Sequence, residues 1–195
     1  MNFINNQYAY KNSRQCTLRK VVRFSGVGVH NGRAVSISIH PANANTGIVF
    51  KRIDIKHNNI IKAVMSNVYE SNLCTKIKNR HNVSVSTIEH LMAALSALNI
   101  DNAIIKINNS ELPALDGSSN EYIKKMVKVG VNFLNESKSY LRVLKNIKVT
   151  DGKRYISISP SNKSTINICI DYPNTIIGNS KYYYSHSSDN FIKYL

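Results

Sequence analysis

The stretch 86–107, STIEHLMAALSALNIDNAIIKI, contains the change of period that decides the fold. Ile88, Leu91, Met92, Leu95 and Leu98 recur at helical spacing and form one apolar stripe, which predicts a helix over 87–98. Ser86-x-x-Glu89 has the form of a capping box, in which a hydroxyl and a carboxylate satisfy free N–H groups of the first turn. A short apolar run, NAIIKI over 102–107, follows at once and predicts a strand.

Working outward toward the N-terminus, residues 15–24 (QCTLRKVVRF) are rich in strand formers, and Gly26 and Gly28 interrupt them before His30. Asn31-Gly32 is a turn pair. Val35, Ile37 and Ile39 then alternate with polar partners, which predicts a half-buried strand over 33–40. A third strand is expected over 47–53 and a further one near Leu73 to Ile77. Toward the C-terminus, Ser118-Ser119-Asn120-Glu121 repeats the capping-box form and opens a helix with Tyr122, Ile123, Met126 and Val127 on its apolar stripe. After an N-terminal extension, 1–14, residues 15–130 are therefore expected to form one complete α+β domain with helices stacked on a sheet. Residues 130–140 are polar enough to read as a linker. Beyond them, Asp151-Gly152 predicts a hairpin between 141–150 and 153–159, and Thr165 to Asp171 another strand. Strands without helices over 141–195 suggest an incomplete second domain with one sheet face uncovered.

The bulk numbers narrow the class. Of 195 residues, 43% are hydrophobic and 19% charged, a balance that argues for a packed core and against disorder. No apolar run is long enough for a membrane-spanning helix, and the opening residues do not resemble a signal peptide, so a cytoplasmic location is expected. Cys16, Cys74 and Cys169 are an odd number without a C-x-x-C pair, which suggests neither a disulfide framework nor a thiolate zinc cluster and fits a reducing compartment. The net charge of +15 invites a nucleic-acid partner. Its basic residues are scattered rather than gathered into a stripe, so no nucleic-acid partner is expected. A solvated basic surface, or attraction to an anionic small molecule or headgroup, accounts for the charge.

Glu89-His90 is the pair with chemical potential. A helix start presents unpaired N–H groups and the positive end of a dipole, which favour a carboxylate or an anionic intermediate. The plainer alternative makes Glu89 half of a capping box and His90 an incidental neighbour.

The surrounding motifs shift that balance. Thr17-Leu18, SGVGVHNG over 25–32, Pro41-Ala42, TGIVF over 46–50, Leu73-Cys74-Thr75, VSTIEHL over 85–91, LNIDN over 98–102 and ELPALDGS over 111–118 together resemble the UDP-3-O-acyl-N-acetylglucosamine deacetylases, zinc amidases of lipid A synthesis. The resemblance is in register over about 15–125 and looser to about 193. It implies a ββαα-type two-layer sandwich followed by the truncated start of a second similar domain. It also implies that Glu89 is the general base, that His90 is the first zinc ligand, and that His30 and Cys74 line the region binding a UDP-linked acylated glucosamine. For His30 a turn histidine, and for Cys74 plain core packing, stay open. The cofactor implied is zinc, whose bound water has a pKa lowered to about 7 within reach of a carboxylate base.

The family's other ligands come from a His-Lys-x-x-Asp motif on a downstream helix, and its general acid is a later His. Neither is present. His186 and Asp189 are at a spacing of three and precede the place of that motif, so they are read as unrelated. Expected, then, is a chain with little activity alone: a decayed gene product, an excised piece, or half of a split enzyme whose second half is encoded separately. The alternative is a non-catalytic remnant that binds a sugar nucleotide or an anionic surface.

Overall fold

The computed structural model describes residues 13–70, 72–187 and 190–191. The expected extension 1–14 lies outside the described residues except for Ser13 and Arg14, as do Asp189 and most of the segment from Ser188 to Leu195. The described chain is a mixed α+β structure that divides into two compact units, one running to Lys138 and one covering Ser139–Tyr194.

The first unit is built on a five-stranded sheet in the order β2 (Val22–Val27), β3 (Ala34–Pro41), β9 (Ala103–Ile107), β4 (Ile48–Arg52), β5 (Ile60–Lys62). Strand β9 runs parallel to β4 and antiparallel to β3, with Ile105 opposite both Phe50 and Ile39. The alternation seen in the sequence sets which side is dry: Val35, Ile37 and Ile39 are buried, as are Ala103, Ile105 and Ile107. Helices α1 (Glu89–Ala97) and α2 (Asn120–Val129) touch each other, and α2 touches β2. Leu91, Ala94, Leu95 and Ala97 of α1 and Tyr122, Ile123 and Met126 of α2 are buried. Each large apolar side chain so covered contributes about 1.5–3 kcal/mol. A small antiparallel sheet, β6 (Val68–Glu70), β7 (Lys76–Lys78) and β8 (Ser84–Ser86), leads into α1.

Two expectations are corrected here. The supposed linker contains a strand, β10 (Val131–Ser137), which pairs antiparallel with β1 (Arg14–Leu18). The polar composition misled because β10 buries little, while its partner buries Gln15, Cys16, Thr17 and Leu18 together. The buried polar groups of β1 are answered one by one. Gln15 Nε2 donates to Asn45 Oδ1 at 2.8 Å and to Ser137 O at 3.0 Å, and Thr17 Oγ1 donates to Asn102 O at 2.7 Å. Those partners are remote in sequence, so local composition could not announce them. Burial pushes the Cys16 thiol up to about 11, which makes it a packing residue.

The second correction concerns the helix starts. Helix α1 begins at Glu89 with Ile88 as N-cap, and no side chain caps it. Ser86 is the last residue of β8, and its Oγ donates to Ser110 O at 3.2 Å. Thr87 intervenes with φ at 57°, a left-handed conformation that breaks the continuity a Ser-x-x-Glu box requires. Helix α2 begins at Asn120, where the Ser118 hydroxyl accepts from Asn120 N at 3.0 Å and Glu121 makes no reciprocal contact.

The second unit contains two hairpins. One pairs β11 (Ile147–Asp151) with β12 (Arg154–Ile158), reversing at Gly152, whose φ of 56° suits the Asp-Gly signal. The other pairs β13 (Thr165–Tyr172) with β14 (Gly178–Ser185), a strand the sequence did not announce. Ile147 stands opposite Ile158 and Val149 opposite Ile156, and all four are exposed.

Candidate functional site

The site forms where three chain segments meet at the start of α1. The end of β8 is laced to the segment after β9: Ser86 N donates to Ser110 O at 2.9 Å and Leu112 N to Ser86 O at 3.1 Å. This brings Glu111 beneath the loop between β2 and β3. There its carboxylate accepts from the backbone N–H groups of His30 and Asn31, each at 2.9 Å, and from Thr87 Oγ1 at 3.1 Å. Burial works to raise the Glu111 carboxyl, but these donors outweigh it and hold it below its ordinary value.

Helix α1 then presents Glu89 and His90 as its first two residues, both half-buried. Glu89 Oε2 accepts from Thr75 N at 3.0 Å, so the carboxylate expected in a capping box is instead held by the segment before β7. Glu89 and His90 share the wall of a cavity of about 190 Å³ with Val29, His30, Leu73, Thr87, Pro113, Ala114 and Gly117. Tyr122 of α2 backs the last of these segments, donating its hydroxyl to Pro113 O at 3.1 Å. Asp116, at the outer turn, accepts from Ser118 N and Ser118 Oγ, both at 3.0 Å, and the Ser118 amide draws its carboxyl below the ordinary range.

Three of the four candidates are therefore in one place: His30, Glu89 and His90. Cys74 is not on the wall. It is buried, and its neighbour Leu73, in a left-handed conformation with φ at 65° and 91% exposed, reaches the cavity instead. His186 lies in the second unit, its Nδ1 3.4 Å from Tyr184 Oη, and Asp189 is outside the described residues. Sequence reasoning gave no role to Glu111, Thr87 or Thr75. The signal that could have found Glu111 is a carboxylate between the polar run Asn108–Ser110 and Leu112-Pro113, where a charge must be buried or the turn left open.

Among the described residues no three His, Cys, Asp or Glu side chains are grouped so as to hold a metal ion. His90 is one imidazole and a catalytic zinc takes three protein ligands, so the described residues do not fit a zinc site by themselves.

The family model for UDP-3-O-acyl N-acetylglycosamine deacetylase matches residues 15–195. Among curated proteins, the UDP-3-O-acyl-N-acetylglucosamine deacetylase of Sodalis glossinidius (strain morsitans) is 35% identical over 182 residues, covering 92% of this chain and 60% of the relative. The protein of the same name from Blochmanniella floridana is 37% identical over 181 residues, covering 91% of this chain and 61% of the relative. The chain thus spans about three fifths of the length of these relatives.

Proposed function

The chain belongs to the UDP-3-O-acyl N-acetylglycosamine deacetylase family, and from that premise we propose that it carries the general-base half of a zinc-dependent deacetylase site acting in lipid A synthesis. The observation that supports this reading is the placement of Glu89 and His90 side by side at the start of α1, on one cavity wall with His30. The substrate is a UDP-linked, 3-O-acylated N-acetylglucosamine, and the reaction is hydrolysis of its N-acetyl group to free amine and acetate.

In this reading Glu89 takes the proton of the attacking water. Thr75 N occupies Oε2, which leaves Oε1 as the accepting atom. His90 would supply one ligand to a zinc ion, whose chemistry would be to lower the pKa of the attacking water. His30 contacts the substrate, while Cys74 supports that region from behind Leu73. The second unit belongs to a second domain of the same ββαα kind. A cytoplasmic location fits the three free thiols, Cys16, Cys74 and Cys169, and no helix among the described residues is long and apolar enough to cross a membrane.

The test is zinc content after dialysis together with turnover of the sugar nucleotide, measured on the chain alone and after co-expression with the remaining segment of a relative. Weak zinc retention and negligible turnover alone, with both recovered on complementation, are expected. Near-stoichiometric zinc and turnover by the chain alone would overturn the half-site reading.

A further inference from the structure

Glu111 is 1% exposed, and the donors that meet its carboxylate belong to two chain segments that both reach the cavity, one through His30 and the other through Thr87. On one side are the backbone N–H groups of His30 and Asn31; on the other is the hydroxyl of Thr87, two residues before Glu89. Hydrogen bonds to an ionised acceptor are stronger than neutral ones, so this carboxylate ties the two segments more firmly than a neutral acceptor would. Its fit is close. A Cβ on Gly28 would lie 2.6 Å from Glu111 Oε2 and 2.9 Å from Glu111 Cδ, so only glycine lets the loop sit this near. Thr87 completes the tie in a left-handed conformation, φ 57°, that β-branched residues rarely adopt, and such backbones persist only where surrounding contacts hold them.

We propose that Glu111 is the positioning residue of this cavity: its carboxylate clamps the His30–Asn31 turn to Thr87 and thereby sets the His30 imidazole and the Glu89–His90 helix start around one space. The inference rests on the deacetylase reading for the purpose the clamp serves, while the clamp itself is a property of the folded chain. Glu111 touches none of the groups proposed to react and acts through His30 and Thr87.

The experiment is NMR on the full chain, reading the ring signals of His30 and His90 and the amide exchange of His30 and Asn31. Glu111→Gln replaces one accepting oxygen with a donor. It is expected to lower the protection of both amides by about tenfold or more and to shift both ring signals. Gly28→Ala, which crowds the same carboxylate, should move the rings in the same way. Thr87→Val should shift them less, and Thr87→Ser, which keeps the hydroxyl, should restore them. If Glu111→Gln or Thr87→Val lowers stability while both ring signals stay at their wild-type positions, Glu111 is a structural residue only and the proposal fails. Should Glu111→Gln not fold, Thr87→Val decides by the same criterion. Failure of the deacetylase reading would appear separately, as absent turnover after complementation, with these shifts unchanged.

Discussion

The backbone N–H of Thr75 donates to Glu89 Oε2 at 3.0 Å, tying the first residue of α1 to the chain just before β7. An amide oxygen still accepts that bond, though less strongly than an ionised carboxylate, so Glu89→Gln is expected to keep the fold. The lost charge at a helix N-terminus costs about 0.3–1 kcal/mol. Glu89→Ala removes the acceptor and should cost more, about 1–3 kcal/mol. Urea denaturation of the two variants checks the order; a Gln variant less stable than the Ala variant would contradict it.

Tyr122 is buried, packs its ring against Phe24 at 4.8 Å between centroids, and donates to Pro113 O. Burial raises its phenol further above the ordinary range, so it remains a donor throughout the working pH range. Tyr122→Phe keeps the ring contact and leaves a buried carbonyl without its donor. A loss of about 1–3 kcal/mol is expected in chemical denaturation, with the largest chemical-shift changes over 113–117.

Acid should loosen the Glu111 clamp. Its folded carboxyl lies below the ordinary value of 4.5, because donors from His30, Asn31 and Thr87 outweigh burial. A depressed carboxyl contributes its stability in full above the unfolded value and loses it as pH falls through the folded one. The urea midpoint should therefore decline as pH falls below about 4.5, and Glu111→Gln should show a shallower decline. Identical pH profiles for the two proteins would remove Glu111 from the cause.

The three thiols should separate by reactivity. Cys169 is exposed on β13, whereas Cys16 and Cys74 are buried and the Cys16 thiol is pushed up to about 11. Under native conditions an alkylating reagent should modify Cys169 first, and the other two only on unfolding. Mass-spectrometric mapping over time reads this directly.

Protection from hydrogen exchange should differ between the units. Ile156, Ile158, Ile166 and Ile168 are exposed on hairpins, and two-stranded hairpins are marginal by themselves in water. Fast amides are expected over 141–187 and slow ones over 33–53 and 87–107. Equal protection would mean that the hairpins are covered, most simply by a second copy of the chain.

Local sequence determined the elements whose period is short and whose burial is one-sided. The alternation of Val35, Ile37 and Ile39 gave β3, the spacing of Leu91, Leu95 and Leu98 gave α1 within two residues at either end, and Asp151-Gly152 gave a hairpin. Glu89, His90 and His30 were legible as candidates through the family resemblance that the ordered motifs carry, since the local Glu-His pair by itself is a weak signal. Only the tertiary structure decided what those residues touch. The Ser86–Glu89 box reads correctly as a local signal, yet the bonds from Ser86 to Ser110 and from Thr75 to Glu89 replace it, since remote partners satisfy the same groups. Strand β10 looked like a linker for the same reason: its partner β1 is more than a hundred residues away along the chain. Glu111 shows the limit most clearly. A carboxylate in a polar stretch is ordinarily left in water, and what makes this one a buried clamp is the meeting of Gly28, His30, Asn31 and Thr87 around it, a coincidence of three segments that no local pattern encodes.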